Sequence, residues 1–225
     1  MAFGFFGKLP AKADFLVGDC PAGFLKIWEP FLMKGLAQSR LDLGSAWEEA
    51  YMTMPIWHFR LTPSQSDGSL ADRVAGAFMP SVDRVGREFP LTVMAPFPVA
   101  SEQGEQSDMS MDALETVLLG ALDEQTDLGA FRRSVKTLSQ KSTVLRSEDE
   151  NASKMLEPDS DISGVLESEF RCRGGTEEYA FKCDGLPGAT AFRWLILPEQ
   201  FQEEGQNTKA AGKLHGQNEP EDHQR

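Results

Sequence analysis

Val74-Ala75-Gly76-Ala77-Phe78-Met79 and, after a charged turn, Leu91-Thr92-Val93-Met94-Ala95-Pro96-Phe97 decide the fold of this chain. Successive side chains of a strand point to opposite faces of its sheet, and in both stretches the two alternations are equally apolar. That is the pattern of strands buried on both faces, which requires helices above and below. Upstream, Trp57, Phe59 and Leu61 alternate with His58 and Arg60, so the bulky side chains share one face of a strand that enters the sheet at Pro55. Downstream the period becomes helical, with Met111, Leu114, Val117, Leu118, Ala121 and Leu122 on one stripe and Leu128, Phe131, Val135 and Leu138 on another. The reading is α/β: a layered α/β/α sandwich around a mostly buried mixed sheet.

The remaining elements are read outward from that centre. Asp19 and Pro21 predict a helix start, followed by an apolar stripe through Phe24, Ile27, Trp28, Phe31, Leu32 and Leu36. Pro30 lies inside it and would cost ~3 kcal/mol in a helix interior, which predicts a kink or a fresh start near Glu29. Ser45 and Glu48 have capping-box spacing, so a second helix is expected to run from there to about Ala50. Residues 3–6 read as an edge strand leaving through a turn at Gly7, with Pro10 fixing the exit. Residues 179–183, after the Gly174-Gly175 turn, and residues 192–197 complete the expected strands.

The 225 residues carry 22 Lys plus Arg against 35 Asp plus Glu, a net charge of −13. Phosphate binding draws on clustered cations, so nucleic acid is disfavoured as a partner. The acidity is uneven: residues 1–100 hold 9 basic and 10 acidic side chains, residues 101–225 hold 13 and 25. Apolar runs fall short of the ~20 residues that span a bilayer, so membrane insertion is not expected. The N-terminus lacks the apolar core and cleavage site of a secretory signal, which points to the cytoplasm. Residues 1–201 read as a single domain with a solvated stretch at residues 101–108. Residues 202–225 read as an acidic, disordered tail without periodic apolar positions.

The chemistry-bearing patterns mostly fail on inspection. Gly4-Phe5-Phe6-Gly7-Lys8-Leu9-Pro10 invites a phosphate-loop reading, but a nucleotide loop has four residues between its glycines and Ser or Thr after the lysine. Ser81, His58 and Asp83 are the residue types of a serine hydrolase, yet no nucleophile elbow surrounds Ser81. His215 and His223 fall in the expected tail, where nothing would orient a base. Cys20, Cys172 and Cys183 form no CxxC pair and read as reduced, mostly buried thiols. A zinc site of Cys172, Cys183, His58 and a carboxylate has no spacing signature. No cofactor is indicated.

The segment from Asp83 to Pro90 is less ordinary, because it places alternating charges and Gly86 between two buried strands. Two readings stand. Arg84 and Arg87 grip a carboxylate or phosphate, or Asp83 pairs internally with an arginine and fixes the crossover. Most of the aromatic side chains belong in the core, but an exposed remainder near Phe5, Phe6 and Phe15 would suit a protein-binding patch.

Three blocks together resemble a known family. They are Gly4-Phe5-Phe6-Gly7-Lys8-Leu9-Pro10 with Asp14-Phe15 after it, Ala50-Tyr51 with Pro55-Ile56-Trp57, and Met79-Pro80-Ser81-Val82-Asp83-Arg84-Val85-Gly86-Arg87 continuing into Phe89-Pro90-Leu91-Thr92. In these blocks the chain resembles the N-terminal domain of the TagF family of type VI secretion system-associated proteins, over about residues 3–98. Ala13 departs from the pattern, since the family usually has glycine there. The resemblance implies an α/β layered fold without enzymatic activity. It also implies a cytoplasmic accessory protein that represses the secretion machine after translation by binding a forkhead-associated scaffold protein. Lys8, Asp14, Phe15, Trp57, Asp83, Arg84 and Arg87 are the residues expected to meet the partner or lock the motif. The loops at residues 7–15 and 81–88 are expected to adjoin. The rival readings are a serine-type hydrolase of small polar substrates and a structural subunit of the secretion apparatus.

Overall fold

The computed structural model of the chain describes residues 2–64, 69–96, 111–123, 126–138 and 154–201. The expectations for residues 97, 101–108 and 202–225, including His215 and His223, lie outside them. The described elements are β1 (Gly4–Gly7), β2 (Leu16–Gly18), α1 (Phe24–Leu43), α2 (Trp47–Met52), β3 (Trp57–Pro63), β4 (Val74–Met79), β5 (Leu91–Pro96), α3 (Met111–Gly120), α4 (Leu128–Leu138), β6 (Lys154–Met155), β7 (Val165–Gly174), β8 (Glu177–Cys183) and α5 (Arg193–Ile196). The strands form one mixed sheet in the order β2-β1-β5-β4-β3-β7-β8-β6, antiparallel throughout except for β6 beside β8.

The two apolar alternations of β4 and β5 fill two separate cores. Phe78 and Met94 face α1, α2 and α5 with Phe6, Trp28, Phe31, Phe59 and Phe170. Ala75, Ala77, Leu91 and Val93 face α3 and α4 with Phe5, Leu114, Leu118, Phe131 and Val135. The molecule is therefore the layered α/β/α sandwich that the sequence predicts. Aromatic packing is densest under α1, where Trp28 stacks on Phe59 at 4.3 Å between ring centroids, a geometry that adds stability beyond burial. The Trp28 indole N–H donates to Thr92 Oγ1 at 3.0 Å, satisfying the one polar residue of β5.

Several local expectations are corrected. Helix α1 starts at Phe24 rather than at Asp19, entering through a left-handed Gly23 with no side-chain cap. Asp19 itself has φ 48°, which places it in a turn. Pro30 does not interrupt the helix, because it and Lys26, whose carbonyl loses its partner, both lie on the exposed face, where water can take over. Ser45 does not cap α2; it sits in a 3₁₀ turn spanning Gly44–Ala46. Residues 192–197 are not a strand but the end of a 3₁₀ turn running into α5. Their short apolar run carries no period, and burial of Trp194, Leu195 and Ile196 on one turn of helix decides it. Strand β1 is not the edge, since β2 pairs outside it. The unforeseen β7 reads Val-Leu-Glu-Ser-Glu-Phe, its inward side including the polar Ser168.

Candidate functional site

The loop between β4 and β5 is organised by one buried carboxylate. Asp83 Oδ1 accepts the backbone N–H groups of Val85 and Arg87, each at 3.0 Å. Its Oδ2 takes the Arg87 Nε–H at 2.6 Å and the Lys8 ammonium at 3.2 Å. Gly86 closes the turn with φ 82° and donates its N–H to the Asp83 carbonyl. Burial alone would raise the Asp83 carboxyl pKa, but the backbone and guanidinium of Arg87, with Lys8 and the Val85 amide, hold it well below the usual carboxylate range. Asp83 is therefore ionised and fully coordinated.

The same residues tie the β1–β2 loop to this turn. Lys8 is itself buried, donates to the Arg87 carbonyl at 3.2 Å and lies 5.3 Å from the Phe15 ring centroid. The Arg87 guanidinium donates to the Ala13 carbonyl, and the Arg84 N–H to the Lys12 carbonyl at 3.1 Å. Ser81 Oγ–H donates to the Lys8 carbonyl at 2.9 Å. Phe15 packs edge-on against Phe89 at 4.8 Å and stacks on Phe6 at 5.8 Å. From α2, Tyr51 exchanges two hydrogen bonds with Ser81: its hydroxyl donates to the carbonyl at 2.9 Å and accepts the N–H at 3.0 Å.

Gly7 makes the close approach possible. Its φ is 133°, and a Cβ there would lie 2.0 Å from the Pro90 carbonyl oxygen, so no side chain fits. Ala13 needs no such freedom, because among the described residues Asp19 is the one non-glycine with positive φ. The departure at Ala13 is thus accommodated without strain.

The loops at residues 7–15 and 81–88 adjoin, as the sequence predicts, and the arginine question divides. Arg87 is internal in its contacts although its side chain is largely exposed. Arg84 is exposed, with no side-chain partner among the described residues, beside the exposed Val85. Asp14 and Phe15 are exposed on the same pair of loops, whereas Phe5 and Phe6, expected in an exposed patch, are buried. Trp57 is not part of the cluster. It is buried under α5, where its indole donates to the Leu195 carbonyl at 2.6 Å.

Ser81, His58 and Asp83 form no relay. Ser81 serves the Lys8 carbonyl, Asp83 serves Arg87 and Lys8, and His58 Nε2 lies 2.8 Å from Glu115 Oε1 on the opposite face of the sheet. Cys172 and Cys183 are buried free thiols. No group of three or more His, Cys, Asp or Glu side chains among the described residues could hold a metal ion. Tyr51 stands in the second family block, but sequence reasoning gave it no role. Its signal was available, since a buried tyrosine hydroxyl requires a partner.

The three sequence blocks thus converge on one cluster, and a family model matches that region: TagF N-terminal domain, Type VI secretion system-associated, over residues 4–138. The chain belongs to the TagF N-terminal domain family. The TagF match continues through α3 and α4, past the point near residue 98 where the motif resemblance stops. A comparison with curated proteins finds no match. Among solved structures, the crystal structure of PA0076 from Pseudomonas aeruginosa PAO1 is similar, at 30% identity and TM-score 0.68. The likeness covers 87% of this chain and 94% of that one, so it extends beyond the TagF match into β6–α5. Among the described residues no helix is long and apolar enough to cross a membrane.

Proposed function

We propose that this type VI secretion system-associated protein is a cytoplasmic, non-enzymatic repressor that acts after translation by binding and sequestering the system's forkhead-associated scaffold protein. The surface we assign to that contact is the pair of loops at residues 7–15 and 81–88. One observation carries the reading: the segments most typical of the family are spent on building a rigid loop pair, not a pocket with a free nucleophile or base. Buried Asp83, Lys8, Ser81 and Tyr51 hold the frame, and Asp14, Phe15, Arg84 and Val85 face outward from it. Aromatic and arginine side chains on a rigid support are the usual anchors of protein interfaces.

Calorimetric titration with the scaffold tests this. Wild-type protein is expected to bind, and Arg84→Glu combined with Val85→Ser to lose about tenfold or more in affinity while its melting temperature stays unchanged. Undiminished affinity in that folded variant removes the loops from the interface. No binding by the wild-type protein removes the sequestration mechanism.

A further inference from the structure

Among the described residues the sheet ends on β2, whose inner side pairs with β1 and whose outer side is open. We propose that this edge is a docking site for an extended partner segment of alternating apolar and acidic residues, which adds to the sheet as a further strand. Two features beside the edge specify that chemistry.

On the α1 side, the exposed Phe15 and Val17 stand two residues apart on one face, an apolar shelf beside the buried Phe6 and Phe89. On the α4 side lies a cleft of about 220 Å³ lined by Phe3, Phe5, Gly18, Asp19, Arg132, Val135 and Lys136, two cations against one carboxylate. Gly18 lets the Phe5 ring lie across the strand, since a Cβ there would collide with it. Arg132 lies over that ring at 5.9 Å and has no acidic partner among the described residues. Lys136 follows one turn later on the same exposed face. An added strand sends successive side chains to opposite faces, so alternate residues would cover the Phe15–Val17 shelf and the others would reach Arg132 and Lys136. In a chain of net charge −13 this local cation pair selects an acidic segment. The edge is three residues long and ends at Asp19, whose left-handed backbone stops further pairing, so it takes one short segment and does not template an extended ladder.

The test uses the whole chain and labelled peptides of about eight residues, one alternating valine with glutamate and one alternating valine with lysine. By fluorescence anisotropy the glutamate peptide is expected to bind and the lysine peptide not. Arg132→Glu with Lys136→Glu is expected to weaken binding about tenfold or more with an unchanged melting temperature. Methylating alternate amides along one edge of the peptide should abolish binding, and along its other edge should not. Equal binding of both peptides, indifference to methylation, or no binding at all overturns the proposal. Self-association by sedimentation that Val17→Lys abolishes would assign the edge to a second copy and overturn it too. The secretion scaffold takes no part in the experiment, so the result is independent of the repressor reading.

Discussion

Replacing Tyr51 by phenylalanine removes one oxygen from the centre of the loop frame and leaves the ring to stack on Trp47 as before. What changes is the peptide of Ser81. Its carbonyl keeps a second donor, the Phe89 N–H at 3.0 Å, but its N–H loses the Tyr51 oxygen and lies where water does not reach. An orphaned buried donor costs about 1–3 kcal/mol, and the lost bond to the carbonyl about 1 more, so the expected loss is about 2–4 kcal/mol. Burial pushes the phenol well above its ordinary pKa, so the hydroxyl remains a donor across the usable pH range. Urea unfolding followed by tryptophan fluorescence measures the loss as a lowered midpoint at constant slope. The melting temperature should fall by roughly 4–16 °C for a chain of this size. A loss below about 0.5 kcal/mol at unchanged slope would refute the view that Tyr51 holds the Ser81 turn.

Gly7→Ala forces a Cβ against a backbone oxygen that cannot turn away, so a loss of at least about 2 kcal/mol is expected in the same assay; a neutral result would show that the β1–β5 contact can slide. Burial lowers the His58 pKa against the raising effect of Glu115 and Asp112, with Arg173 adding to the lowering, so the unfolded chain takes up this proton first. The His58 contribution to stability is complete above the ordinary imidazole value near 6.5 and is lost as pH falls from there toward the lowered native value, so urea midpoints should drop as the pH is taken below about 7. His58→Leu should remove that slope, and an unchanged slope would place its origin elsewhere. Asp83 works in a separate window: its lowered pKa contributes stability above the ordinary carboxylate range and loses it only as the pH falls below that range, so Lys8→Met should alter acid unfolding below about pH 4. Equal acid midpoints for wild type and variant would argue against the pairing. Burial raises all three thiol pKa values, Cys183 to about 12, so a disulfide reagent at pH 8 should label the native protein slowly and the urea-unfolded protein at once; fast native labelling of Cys172 or Cys183 would contradict their burial.

The strands that decide the sandwich were legible because burial on both faces leaves an unbroken apolar run, and β4 matches its sequence boundaries, although the comparable run at residues 192–197 is helical. Where a residue's role depends on contacts distant in sequence, the reading failed. Asp19 looks like a helix cap by type, yet the turn made with β2 takes it into a left-handed conformation and hands the helix start to Gly23. Strand β7 hid because its inward positions include Ser168, whose hydroxyl donates to the Gly185 carbonyl, a partner 17 residues away that no local pattern announces. Trp57 stood beside the family blocks in sequence and proved to be core, whereas Asp83 and Arg87 were open to either reading until Lys8 and Ala13, more than 70 residues earlier, were placed against them. Spacing reports period, and only the fold reports which charges meet.

The frame and the open edge belong to the same excursion of chain. Residues 7–15 leave β1, are pinned at Lys8, Lys12 and Ala13 by the Asp83 turn, and return as β2. The register of β2 on β1, Phe6 opposite Val17 and Phe5 opposite Gly18, therefore depends on a carboxylate in a different loop. Strand β2 has only three residues and, among the described residues, one neighbour, too little pairing to hold a register by itself. Phe15 adds the second constraint, since its packing on Phe6 and Phe89 fixes the residue that enters the strand. A substitution that loosens Asp83 would thus blur which side chains the edge presents, although Asp83 itself is buried and can touch no partner. Arg84 and Val85, which project from the turn without holding it, can change without that effect. Loss of binding with intact stability is diagnostic at those two positions and not at Asp83, Lys8 or Tyr51.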